Sequence, residues 1–203
     1  MGKRSDFKRV PRDFYPTPYE AVVPLAPYLP APTFYFDVAM EVATQMRVLE
    51  PCAGDTCLVQ HLKKVYQDVL DYDVKRWIVS MCDIEPQHES VIEMDALSLD
   101  EAYIETHNII ITNPPWNRKF LHPFITHFIK HMDHDQIMWL LIDADWAHTK
   151  QSAPYMKHCS KIVSIGRVKW IKDSKHTGKD NCAWYCFEKS DDQQTVFIGR
   201  NDA

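Results

Sequence analysis

The chain has 203 residues, 45% hydrophobic and 25% charged, with a formal net charge of −5, the composition of an ordinary globular domain with a proper core. No apolar run reaches the ~18 residues of a membrane span, and MGKRSDFKRV at the start lacks the apolar centre of a signal peptide. Cys52, Cys57, Cys82, Cys159, Cys182 and Cys186 form no C-x-x-C pair, so they read as reduced thiols of a cytoplasmic protein rather than as disulfides or a zinc site.

In chain order, residues 1–18 are basic and broken by prolines, and read as an arm. Residues 18–29 and 33–44 carry apolar side chains at helical spacing, interrupted at Pro24, Pro27, Pro30 and Pro32. Residues 46–51 (MRVLEP) read as a short buried strand. Residues 56–70 follow with apolar positions 58, 59, 62, 65, 66 and 69, the stripe of a helix. Further strands are expected at 76–84, 90–97, 107–113 and 136–146, with helices at 120–132 and 149–158, the latter delayed by Pro154. The end of the chain differs: residues 161–171 and 181–189 are strand-like and flank a polar loop, KDSKHTGKD, with no room for a helix. Strands alternating with helices predict a Rossmann-like α/β domain, its sheet mostly parallel with a C-terminal antiparallel hairpin and helices on both faces. One domain is expected over 1–203, with no linker, repeat or separate recognition module.

Ligands of open α/β sheets bind beyond the carboxyl ends of the strands. There the first four strands present Glu50-Pro51-Cys52-Ala53-Gly54-Asp55, then Asp83-Ile84, then Asp95-Ala96, then Asn113-Pro114-Pro115-Trp116. Gly54 permits a close backbone approach, and Asp55 or Thr56 suits a helix cap. Asp83 suits recognition of a ribose diol, and Asp95 suits an adenine amino group, although each also reads as a capping or turn residue. In this order they favour an adenosine-containing ligand. Neither G-x-G-x-x-G nor a P-loop lysine is present, which disfavours NAD and ATP and points to S-adenosylmethionine.

NIIITNPPW, residues 108–116, runs a buried strand into a stiff, donor-poor corner. The Asn113 amide oxygen and the Pro114 carbonyl suit the two hydrogens of an exocyclic amino group, whose nitrogen is a weak nucleophile until its lone pair is drawn out of the ring. Pro114 and Pro115 fix φ and carry no N–H, so the corner stays rigid. Trp116 offers an aromatic face to a base swung out of its stack, a contact of roughly 1–3 kcal/mol.

On these motifs the chain resembles the class I S-adenosylmethionine-dependent amino-methyltransferases, most of all the adenine-N6 DNA methyltransferases of small bacterial and phage type. The resemblance spans roughly residues 13–188. FYPTP, residues 14–18, resembles an N-terminal cofactor motif, implying that Tyr15, Thr17 and Pro18 approach the methionine portion. LEPCAG resembles the main cofactor motif (Glu50, Cys52, Ala53, Gly54). Asp83 and Ile84 match the ribose and adenine contacts, Asp95 and Ala96 the adenine edge. NPPW matches the catalytic motif, with Asn113 also beside the cofactor. TGKDNCAWYCF, residues 177–187, resembles the late motif of the target-base pocket, implying substrate roles for Asn181 and Trp184. The chain departs from the family at Thr56, where a glycine is usual.

Charge is uneven. Residues 37–110 hold fifteen acids and five bases, whereas 1–12 and 161–180 are basic, the latter with Lys161, Arg167, Lys169, Lys172, Lys175 and Lys179. Such a rim suits phosphates, so DNA is the expected partner and Lys175 and Lys179 are substrate-binding candidates. RNA adenine, a protein glutamine amide, and a non-catalytic S-adenosylmethionine-binding protein are the alternatives. No metal is expected, the histidines 122, 127, 131 and 134 notwithstanding. Asp143-Ala144-Asp145 reads either as a helix start or as a cleft-facing pair, with Trp146 bordering the cleft; monomer and homodimer are both open.

Overall fold

A computed structural model describes residues 14–31, 46–171, 177–190 and 193–200, and the backbone alone at 36–37 and 42–43. Ten strands fall within these residues: β1 (Phe36–Asp37), β2 (Val42–Ala43), β3 (Arg47–Glu50), β4 (Ile78–Asp83), β5 (Ile92–Glu93), β6 (Ile109–Thr112), β7 (Ile137–Asp143), β8 (Cys159–Arg167), β9 (Asn181–Glu188) and β10 (Val196–Ile198). Helices are α1 (Tyr19–Val22), α2 (Cys57–Asp68), α3 (Glu101–Ile104), α4 (Arg118–His131) and α5 (Ala153–Met156).

Eight strands form one sheet in the order β10-β8-β9-β7-β6-β3-β4-β5. β3 to β7 run parallel, and β9 is antiparallel to both β7 and β8. The strand order reverses direction between β3 and β6, which places a crevice at the carboxyl ends of both. Two apolar layers sandwich the sheet, and strand parity sorts the side chains between them. Val48, Ile109, Ile111, Trp139 and Leu141 join α2 on one face. Leu49, Ile110, Met138, Leu140 and Ile142 join α4 on the other. This double burial is why β6 and β7 read as unbroken apolar runs. Asn117 caps α4, its side-chain oxygen accepting from the Lys119 amide at 3.0 Å. Among the described residues no helix is long and apolar enough to cross a membrane.

The expected mixed sheet with helices on both faces is therefore present. Several local readings change: the helix expected at 149–158 is confined to Ala153–Met156, α3 was not anticipated, and three others differ more. Within the helix expected over 33–44, the described residues 36–37 and 42–43 are instead paired antiparallel, Phe36↔Ala43 and Asp37↔Val42; the run T-F-Y-F-D-V is rich in β-formers, which overrode a weak helical spacing. The strand expected at 90–97 shrinks to Ile92–Glu93, because Asp95 starts a 3-10 turn by accepting from the Leu97 amide at 2.9 Å. β10, unanticipated, lies parallel beside β8 at the sheet edge.

Candidate active site

The loop after β3 is tied to the end of β4. The Ala53 amide donates to the Cys82 carbonyl at 3.0 Å, and the Gly54 amide to Asp83 Oδ2 at 2.9 Å. Asp83 Oδ1 accepts from the Glu85 amide at 2.8 Å, so both carboxylate oxygens are oriented and each keeps a lone pair for a further donor. Beside Asp83, Ile84 is 59% exposed, an apolar surface open to a ligand ring. Asp95 takes the capping role, with Ala96 buried behind it.

Gly54 has φ +49, and a Cβ there would lie 2.5 Å from the Phe14 ring. The N-terminal segment thus lies directly on the loop, with Thr17 buried and its carbonyl 2.9 Å from His61 Nδ1. A Gly54→Ala chain is expected to lose about 1–3 kcal/mol, from positive-φ strain and the clash with Phe14, measured by urea unfolding.

Thr56 also takes a left-handed backbone, φ 73, which is strained for a β-branched residue. Its side chain is turned into the fold, where the hydroxyl accepts from Gln60 Nε2 at 2.6 Å. The backbone shape that glycine usually supplies is thus kept by threonine, with Gln60 as its partner. Alanine at this position keeps the strain and loses that bond, whereas glycine loses only the bond. Thr56→Gly is therefore expected to be more stable than Thr56→Ala by about 1 kcal/mol, the reverse of the usual helix ranking; equal denaturation midpoints would refute the strain.

Beneath this loop Glu50 is 2% exposed, and its Oε2 has no hydrogen-bond partner. Burial first, then the charges of Asp55 and Asp83, push its carboxyl well above the ordinary carboxylate range, while the Val59 backbone N–H pulls it back. A buried, unpaired acceptor among carboxylates suits a cationic ligand. S-adenosylmethionine, which carries an ammonium and a sulfonium, fits on that ground. Cys52 stands half-buried in the same loop, and burial first, then Asp83 and Cys82, push its thiol up, which disfavours the thiolate a nucleophile needs.

The corner after β6 adjoins this loop. Asn113 Nδ2 donates to the Tyr15 carbonyl at 3.5 Å, and Phe14, the next residue, covers Gly54. Pro114 is buried, and Pro115 and Trp116 are half-buried. Trp116 is held back against the sheet. Its indole N–H donates to the Leu141 carbonyl at 3.0 Å and to Asn113 Oδ1 at 3.2 Å, and its ring meets Trp170 edge-on at 5.8 Å. The ring is one wall of a cavity of about 100 Å³ that also includes Arg118, Asp143, Asp145, Trp146 and Thr149, against the ~10–15 Å³ that one water needs. The corner therefore stands between the β3 loop and this cavity.

Asp143 turns out to be both of the things the sequence allowed. It caps the 3-10 turn Ala144–His148, accepting from the Asp145 amide at 2.9 Å, and it lines the cavity with Asp145. Burial first, then Asp145 and Asp180, raise its carboxyl above the ordinary range, opposed by the Asp145 N–H and Arg118. Trp146 is held by a bond from its Nε1 to His122 Nε2 at 3.2 Å. His127 contacts the Leu99 carbonyl and His134 the Lys189 carbonyl, both at 2.9 Å. Among the described residues no three potential ligands gather as a metal site.

Of the late-motif residues, Trp184 is corrected. It is fully buried, and its Nε1 donates to the Ala21 carbonyl at 2.7 Å, so it fastens α1 to the sheet and presents no face to a base. The cause is strand parity: Trp184 pairs with Leu141 and points into the same layer. Lys179 and Asn181 are exposed just before and at the start of β9, whose next residue, Cys182, is opposite Asp143; neither lines the cavity. Lys175 and the basic arm 1–12 lie outside the described residues.

Phe14, Arg118, Thr149 and Trp170 were not singled out as site residues in the sequence, although Phe14 opens the FYPTP motif. Trp170 follows the carboxyl end of β8, and its ring lies 6.3 Å from Tyr15 and 5.8 Å from Trp116. Applying the strand-end rule to all the co-directional strands, β8 included, would have found it.

No protein-family model matches the sequence, and no curated protein matches it. Solved structures do. A Listeria monocytogenes protein provisionally described as a class I S-adenosylmethionine-dependent methyltransferase aligns with TM-score 0.51 and 14% identity over 76% of this chain and 58% of its own. The type IIG restriction endonuclease BpuSI aligns with TM-score 0.57 and 13% identity over 90% of this chain and 26% of its own. An Agrobacterium tumefaciens protein provisionally described as an O-methyltransferase aligns with TM-score 0.52 and 11% identity over 89% and 85%. The chain thus spans less than two thirds of the length of each of the first two, 58% and 26%. By its sheet order and by these likenesses, it has the Rossmann-like α/β fold of the class I methyltransferases.

Proposed function

We propose that this chain transfers a methyl group from S-adenosylmethionine to the exocyclic N6 amino group of adenine in DNA. The carrying observation is the position of Asn113. Its amide touches Tyr15, whose neighbour Phe14 lies on Gly54, and its other end touches Trp116, a wall of the cavity. An amino group lodged at the corner would have the β3 loop on one side and an aromatic-walled space on the other.

When bound, S-adenosylmethionine supplies an electrophilic methyl on a sulfonium sulfur. Glu50, Asp83, Ile84 and the Gly54 backbone hold it, with Tyr15, Thr17 and Pro18 closing over its methionine end. Asn113 Oδ1 and the Pro114 carbonyl accept the two amino hydrogens and draw the nitrogen lone pair out of the ring plane. Positioning accounts for most of the rate, since reacting atoms about 3–3.5 Å apart in line need no strong base. The N–C bond would form as the C–S bond breaks, leaving a neutral thioether, and the methylated nitrogen would release one of its protons to water. Trp116 and Trp146 exclude water from the base. Lys179, Arg167 and Lys169 share the crest with Asn181 and Trp170, which supports a phosphate-bearing substrate over a protein one.

The deciding experiment offers the purified protein, with isotope-labelled S-adenosylmethionine, adenine-containing duplex and single-stranded DNA, RNA and a glutamine peptide. N6-methyladenine in DNA is the expected product. Label in RNA or peptide alone would overturn the substrate, and no label in any would overturn the activity.

A further inference from the structure

The indole N–H of Trp116 is a donor only. It is anchored on the Leu141 carbonyl of β7 at 3.0 Å, and reaches Asn113 Oδ1 at 3.2 Å. Leu141 is fully buried in mid-sheet, and Trp170 packs against the indole edge-on, so this N–H has a fixed direction. The opposite end of the Asn113 amide, Nδ2, meets the Tyr15 carbonyl at 3.5 Å. A primary amide has one donor end and one acceptor end, and which end faces a ligand is set by its partners.

From this arrangement we infer that Trp116 acts as a positioning residue: its N–H selects the orientation of the Asn113 amide in which the oxygen, not the NH₂, is offered to the substrate. The inference rests on the proposed amino-group methylation and deepens it. Were Asn113 to turn over, its NH₂ would face the Trp116 N–H on one side and the substrate NH₂ on the other, donors against donors, and a carbonyl oxygen would face the Tyr15 carbonyl. The indole bond also uses one lone pair of Oδ1. One remains, and with the Pro114 carbonyl the corner presents a matched acceptor for each hydrogen of an NH₂ group. A phenylalanine or tyrosine ring in this place lacks the N–H, so the device belongs to tryptophan.

The test is a double-mutant cycle on the methylation rate with the full chain. Trp116→Phe keeps an aromatic wall and removes the N–H; kcat is expected to fall on the order of 10–100-fold, with KM for DNA changed little. Asn113→Asp gives a side chain whose two ends both accept, so its orientation no longer matters. In that background Trp116→Phe is expected to cost less than about threefold. An equal loss in both backgrounds would show that Trp116 serves only as a wall, and would overturn the inference while leaving the proposed reaction intact. A second readout needs no turnover and decides the matter if Asn113→Asp is too slow to measure. In nitrogen-labelled protein the Asn113 side-chain amide resonances are expected to shift or double in Trp116→Phe, and unchanged resonances would overturn the inference. A wild-type chain that methylates no amino substrate overturns the reaction and this role together.

Discussion

An Asn113→Ala chain is expected to lose methyl transfer by about 10²–10³-fold, the scale on which removal of a single pre-aimed polar group at a reacting centre acts. The side chain is half-exposed at the crest, and its partners are the Tyr15 carbonyl and the Trp116 indole, so the fold tolerates its loss. The two buried layers do not pass through it. The Pro114 carbonyl remains in the variant, which is why the loss stops short of abolition. The measurement is single-turnover methylation of adenine DNA, with thermal unfolding as the control. A variant with wild-type single-turnover rate would remove the corner from the mechanism, whatever the substrate proved to be.

A Glu50→Gln chain is expected to bind S-adenosylmethionine about 10–100-fold more weakly, the scale of a hydrogen bond to a charged group at ~1.5–3 kcal/mol. It is also expected to be the more stable protein at neutral pH without the ligand. The cause is the raised Glu50 carboxyl, buried and facing Asp55 and Asp83. Between the ordinary carboxylate range and its raised folded value, the folded chain holds a proton that the unfolded chain has released. Stability from this group is therefore complete at acid pH and is lost as pH rises through that window. A cationic ligand favours the ionised form, so binding in the window releases a proton and tightens as pH rises. Titration calorimetry in two buffers of different ionisation enthalpy reads that proton, and urea unfolding at several pH values from about 5 to 8 reads the stability. Both pH dependences should flatten in the variant. Binding that stays equally tight and equally pH-dependent would show that Glu50 does not face the cofactor. A carboxylate that weakens the empty protein and strengthens the loaded one is the usual compromise of a binding site.

How far the site was legible follows from the kind of information each residue carries. Glu50, Gly54, Asp83 and Asn113 each stand where an apolar run stops, so alternation of strand and turn was enough to place them at one edge. The hairpin at the chain's end was equally plain, because a nine-residue polar loop leaves no room for a crossover helix. Residues 33–44 misled because their apolar spacing and their β-rich composition conflict, and pairing resolved the conflict. Thr56 stood out only as a departure from a family pattern. Its φ of 73 and its bond to Gln60 show how a threonine fills a glycine's place.

The sequence by itself determined the alternation of strands and helices, the mixed sheet and the acidic and amide groups at its crest, because these depend on periodicity and on neighbours in the chain. Only the tertiary structure decided which way each aromatic ring turns. Trp184 goes into the core beneath α1, Trp116 is drawn back onto the Leu141 carbonyl, and Trp170, just after β8, meets it edge-on. A large ring with one N–H goes where it can bury its surface and still find an acceptor, and that acceptor belongs to a strand or segment distant in sequence.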